Sequence, residues 1–231
     1  MNELRLNNEP FSMYKAKVLS CEIGPYSFKN GHVKPSDSMI PVLLNPKIGT
    51  RSISLTLDFE GASEREIERN ITKFTMKLQK GAEISLHDGY TYFVVFSKVT
   101  TPKQKAPWIQ QVKFTLTGYR HGNLVEKTFT SPGKLYVDGD YRTPAYIHAF
   151  VSQVNVTVCG ISFTLAASAA PYNQLYIDGM KKTVKQSAMG NIFHKTINMT
   201  KFPYLEPGEN NINFTTPGVD EVTISYYPIF L

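Results

Sequence analysis

Five histidines, two cysteines and a few short carboxylate and hydroxyl motifs are the residues of this chain that could carry chemistry. Catalysis and metal binding require such groups to converge with matched protonation behaviour. His32, His87, His121, His148 and His194 are scattered, and no pair stands at His-x-x-x-His or another ligand spacing. His148 alternates within a strand-like run and reads as a packed or surface side chain, while His87-Asp88 reads as part of a turn. Ser12-Met13-Tyr14-Lys15 spells the Ser-x-x-Lys of acyl-enzyme nucleophiles, but the companion Ser-Asp-Asn and Lys-Thr-Gly motifs are absent. Asp138-Gly139-Asp140 offers two carboxylates where calcium takes about six to eight oxygens, so a solvated turn is the simpler reading. No phosphate loop, dinucleotide fingerprint or nucleophile elbow occurs. Cys21 and Cys159 fall in different halves and read as buried small hydrophobes in a reducing compartment, not as a disulfide. These residues lead to the expectation of a protein that is not an enzyme and uses no cofactor or metal.

The elements that would position these groups belong to a mainly β chain. At 231 residues it is long enough for two domains of roughly 100–130 residues each. Its 42% apolar and 19% charged residues describe a globular protein. No apolar run has the roughly 18 residues of a membrane helix, and the first residues show no secretory h-region. Asn-x-Thr sequons at Asn70, Asn155, Asn198 and Asn213 therefore carry no glycosylation argument. From Met1 to Gly133 there are 18 Lys/Arg against 12 Asp/Glu, and from Lys134 onward 7 against 7, so the whole excess of +6 stands in the first half. The basic residues form no tract and no Arg-rich helix, so specific nucleic-acid binding is not expected, and acidic protein surfaces are at least as good a partner.

Ser52 to Glu60 alternates Ile53, Leu55, Leu57 and Phe59 with polar residues, the period of a strand with one wet face. A helix is predicted from Ser63 to Lys80: Ile67, Ile71, Phe74 and Leu78 make one apolar stripe, Ser63 and Glu66 a capping box, and Gly81 a left-handed C-terminal cap. Strands are predicted at Tyr14–Ile23, Ala82–Leu86, Tyr90–Val99, Ile109–Arg120 and Leu124–Thr130, with a hairpin turn at His87-Asp88-Gly89. Two stretches lack periodicity and read as long loops, Gly24–Gly49 and Thr100–Trp108. A boundary is expected at 133/134, followed by short strands separated by turns at Cys159-Gly160, Asp178-Gly179 and Pro207-Gly208, the spacing of an antiparallel sandwich. No internal repeat is present. The second half has many tyrosines and no tryptophan, so a carbohydrate-binding or adhesion module is the alternative reading of that sandwich. Most of those tyrosines read as half-buried β packing.

Three stretches share an order with a known family. They are Gly49-Thr50-Arg51-Ser52-Ile53-Ser54-Leu55-Thr56-Leu57, the tyrosine-rich Tyr136–Pro144, which reads as a linker, and the closing Phe202–Ile212 with Val222–Pro228. In this order the chain resembles the distal tail protein, or baseplate hub, of long non-contractile-tailed bacteriophages and their prophages. The resemblance implies a first domain, residues 1–133, that is a β-sandwich with a flanking helix and forms a hexameric ring. It implies a second, galectin-like sandwich at 134–231 that faces outward. The implied partners are the tail-tube protein, a tail-associated hub protein and a receptor-binding protein, at the virion tail tip, after synthesis in the host cytoplasm. No catalytic residues come with the family. Tyr26, Phe28 and Lys29 in the first loop and Trp108 in the second are the expected interface residues, because tryptophan and other aromatics anchor interfaces.

Overall fold

The computed structural model of the chain describes residues 4–33, 42–86, 89–164, 173–187, 190–192, 199 and 201–231, with the side chains of 29–33, 42–47, 173 and 191 outside that description. The chain divides into two compact units, Met1–His121 with Leu231, and Gly122–Phe230. Strand Val125–Phe129 pairs with Val219–Tyr226, so it belongs to the second unit, and the division falls at 121/122 instead of 133/134. Glu126 and Lys127 move together with it, which leaves the entire charge excess in the first unit. Tyr136–Pro144, read from sequence as a linker, also lies inside the second unit, with Gly133–Val137 paired to Gly208–Ile212.

The first unit is built on an antiparallel sheet ordered Glu9–Pro10, Arg5–Leu6, Ala82–Ser85, Thr91–Val99, Ile109–His121, Val42–Glu60, Ala16–Val33. Alternation decides its faces: Ile53, Leu55, Leu57 and Phe59 are buried, as are Val112, Phe114 and Leu116 opposite them, while Ser52, Ser54 and Thr56 point the other way. The helix Glu64–Leu78 closes the apolar face. Ser63 caps it, accepting the Glu66 N–H at 3.3 Å, and Glu66 Oε2 accepts the Ala62 N–H at 2.8 Å. Gly81, at φ +81°, ends it in the left-handed region expected of a terminating glycine. Ile67, Phe74 and Leu78 are buried as predicted and Ile71 packs at the margin of the core. Asn70 is buried too, because its Nδ2 donates to the Glu60 carbonyl at 3.1 Å. Phe74 is the centre of this packing, with the rings of Phe11, Tyr14, Phe59 and Phe114 at 5.2–5.7 Å from its own.

The second unit is a six-stranded antiparallel sheet ordered Gly190–Asn191, Thr183–Gln186, Asn173–Asp178, Tyr146–Val151, Val219–Tyr226, Val125–Phe129. Three two-stranded ladders complete it: Gly133–Val137 with Gly208–Ile212, Thr143–Pro144 with Tyr204–Leu205, and Asn155–Val158 with Ile161–Thr164. Their inward residues, among them Val137, Val158, Phe163 and Ile212, share one core with Ile147, Leu175, Ile177 and Ile224 of the sheet. The Cys159-Gly160 turn has both residues at positive φ, the two-residue geometry that matches strand twist. Cys21 and Cys159 lie in separate units and are not joined in a disulfide, and burial pushes the Cys159 thiol up to about 12.

Phe74→Ala is expected to destabilise the first unit by about 3–5 kcal/mol in chemical denaturation, because four neighbouring rings lose their common contact. At pH 8 the folded Cys159 would be thiolate in about one part in ten thousand, so its alkylation is expected to run about a thousandfold slower than in the urea-unfolded chain.

Candidate functional site

The two stretches expected to be loops hold β strands among their described residues. Ala16–Val33 and Val42–Glu60 form one long hairpin, paired from Ala16 with Phe59 to Val33 with Val42. Ile109–His121 flanks Val42–Glu60 only from Glu60 to Arg51. Beyond Arg51, among the described residues, the hairpin runs on as a two-stranded ribbon with no third strand. Its Gly, Pro and Asn residues fall in or beside register shifts after Val18, Ile23, Tyr26 and Lys29, which bend and twist the ribbon. Among the described residues neither outer edge of the ribbon is paired with a further strand, the feature that invites pairing with another chain. Thr100–Trp108 is likewise a short hairpin, with Lys103–Ala106 paired to Ile109–His121 around a turn at Pro107-Trp108.

The four expected interface residues have different fates. Tyr26 is 7% exposed and fastens the base of the ribbon. Its ring lies 4.2 Å below the Arg51 guanidinium, and its hydroxyl accepts the Arg120 backbone N–H at 3.2 Å. The Arg120 guanidinium in turn covers the Tyr90 ring at 4.2 Å. A ring so enclosed positions the ribbon. Phe28, two residues further out, is 64% exposed. The Lys29 backbone pairs opposite Lys47, and its side chain lies outside the described ones. Trp108 is 58% exposed, yet its carbonyl accepts the Gly61 N–H at 3.2 Å, so a fixed backbone displays the ring to solvent. The structure does not bring Phe28 and Trp108 into contact.

The groups weighed in the sequence lie apart from one another wherever the structure describes them. Among the described residues no three His, Cys, Asp or Glu side chains converge on a metal position. His121 is buried with Nε2 4.0 Å from Glu83, and the His148 ring stacks on Tyr176 at 4.5 Å. His87, Asp88 and His194 lie outside the described residues, as does the His32 side chain. Ser12 sits in the 3-10 turn Phe11–Tyr14, with Lys15 at φ 53° beyond it, not at the start of an α-helix. In the second unit Tyr146, His148 and Phe150 share the outer face of one strand, with Tyr176 across from His148. Tyr226 is buried and Tyr227 exposed, the opposite faces that adjacent strand positions impose.

Both units, in this order, are found in one solved structure of a phage hub protein. SPP1 Dit, described as a paradigm of the hub adsorption apparatus in phages that infect Gram-positive bacteria, aligns over 99% of both chains, with TM-score 0.68 and 14% identity. The chain has the fold of SPP1 Dit. Two structures of the phage P2 baseplate in its activated conformation also contain a chain of this fold. The calcium form aligns over 95% of this chain and 92% of the other (TM-score 0.56, 12% identity), and the strontium form over 97% of each (TM-score 0.59, 11% identity). No family model matches the sequence, and no curated protein is similar to it.

Phe28→Ser and Trp108→Ser are expected to change monomer stability by no more than about 0.5 kcal/mol, because both side chains are mostly exposed. Trp108, the sole tryptophan, is expected to emit as a water-exposed indole in the isolated chain and to be readily quenched by acrylamide. A blue shift with loss of quenching on assembly would place it in an interface; unchanged emission in a stable oligomer would remove it.

Proposed function

We propose that the chain is a structural protein of a phage tail tip that forms a hexameric ring joining the tail tube to the baseplate hub and host-recognition proteins. The observation that carries this is the end-to-end match of both units to a hub protein. The ribbon supports it from the physics. A two-stranded hairpin is marginal in water by itself, and pairing its open edges with a neighbouring copy would satisfy the backbone it leaves free. In this reading the first unit makes the ring and meets the tail-tube and tail-associated hub proteins. The second unit is an outward-facing, galectin-like sandwich that holds a receptor-binding protein. The protein acts without catalysis and ends in the virion tail tip after synthesis in the host cytoplasm.

A carbohydrate-binding module is the second reading, and the outer aromatic row of Tyr146, His148, Phe150 and Tyr176 is what favours it. It is the weaker one because His148 and Tyr176 are parallel within 2° and stacked, so each hides a face of the other from a sugar. Light scattering and negative-stain imaging of the same fractions test the choice. Six copies of 26.0 kDa give about 156 kDa, and annular particles of that mass are expected, alone or with the tail-tube protein. A chain that stays monomeric with that partner yet retains host wall polysaccharide would reverse the order of the two readings.

A further inference from the structure

The helix carries a surface that neither the core nor the ribbon uses. Arg65, Arg69, Lys73 and Lys77 stand at four-residue intervals and so lie one above another on one side of it. Like charges at that spacing work against helix formation. The C-terminal dipole accounts for Lys77 in the last turn but not for Arg69 in the middle. Next to this stripe, the turn Phe11–Tyr14 and the helix border an open groove of about 600 Å³. Met13 and Met76 form its apolar walls and are 66% and 59% exposed, although both are large hydrophobes on well-packed elements. Tyr14 makes its floor, held edge-on against Phe74 at 5.4 Å, so the groove has a rigid base and adaptable sides.

The charge in the groove is unbalanced. Its one carboxylate, Glu9, receives a hydrogen bond from the Tyr14 hydroxyl and another from Lys77 Nζ at 3.0 Å. Those two donors hold the Glu9 carboxyl below the usual carboxylate range. Glu9 is therefore committed to Lys77, and Arg69 and Lys73 have no ion pair among the described residues.

We infer that this groove docks an extended acidic segment of a partner protein, with an apolar side chain seated between Met13 and Met76 and carboxylates on Arg69 and Lys73. The unmatched cations call for anionic groups, and the methionines call for an apolar side chain beside them. Nucleic acid would use the cations and leave the methionines in water. A bilayer surface would need a broader apolar face than two side chains provide. The inference needs only the groove and is independent of the ring.

The test uses the full chain and fluorescence anisotropy with a labelled peptide of alternating glutamate and leucine. Its glutamine–leucine and glutamate–serine counterparts are controls, with duplex DNA and anionic phosphatidylglycerol vesicles as competing probes. Saturable binding of the glutamate–leucine peptide is expected, weaker at high salt and weaker for both control peptides. Arg69→Glu with Lys73→Glu is expected to weaken it about tenfold, and Met13→Ser with Met76→Ser by a comparable factor. The single variants Lys73→Glu and Met76→Ser give the same direction should a double variant lower Tm. With methyl-labelled methionine, the Met13 and Met76 resonances are expected to shift while those of other methionines stay in place. Absence of peptide binding, binding unchanged in both double variants, or equal Met13 and Met76 shifts with DNA or vesicles would overturn the proposal. The mass measurement on the same preparation reports the ring separately, so either idea can fail without the other.

Discussion

Among the described residues, the backbone of strand Val42–Glu60 has hydrogen-bonded neighbours on both sides from Arg51 to Glu60 and on one side only before Arg51. Much of the first unit follows from that change. Where the strand is central, one face is buried under the helix and side chains must alternate. Tyr26 marks the transition: its ring and hydroxyl are consumed by Arg51 and Arg120, tying the ribbon's base to the strands that carry the core. The same enclosed ring lets the next outward aromatic, Phe28, stand free in water without loosening the hairpin.

Below that base, stability is concentrated around one residue. Phe74 meets rings from the 3-10 turn, the central strand and the neighbouring strand, so the helix is held by aromatic packing as much as by its caps. The cap bonds at Ser63 and Glu66 are exposed and worth on the order of 1 kcal/mol, whereas a buried phenylalanine is worth roughly 1.5–3 kcal/mol by area alone. This strong inner face is what permits an unfavourable outer one. A helix pinned from inside tolerates four stacked cations and a solvent-exposed methionine on its outer side.

The two units divide their surface chemistry. The first holds all of the net positive charge, two open ribbon edges and two displayed aromatic rings, each a means of contacting another protein. The second is neutral overall and closes most of its apolar residues into one sandwich core, leaving an aromatic row on the outer face of its larger sheet. Electrostatic attraction of the first unit to acidic partners would be screened within about 10 Å at moderate salt, while ribbon pairing and ring burial would not.

The core of this protein was legible in its residues because burial imposes a period. Ile53 to Phe59, the Ile67–Phe74–Leu78 stripe, the Ser63 cap and Gly81 all stand where the sequence predicts them, since each depends on neighbours a few positions away. The ribbon was not legible, because its glycines and prolines mark bulges as readily as loops. Asn70 inside the apolar stripe, the membership of Val125–Phe129 in the second unit, and Tyr26 buried beside an exposed Phe28 depend on partners tens of residues away. Sequence alone determined the local elements and the inward side of each. Only the tertiary structure decided which outward side chains remain uncovered, because exposure is set by long-range pairing and not by the residue itself.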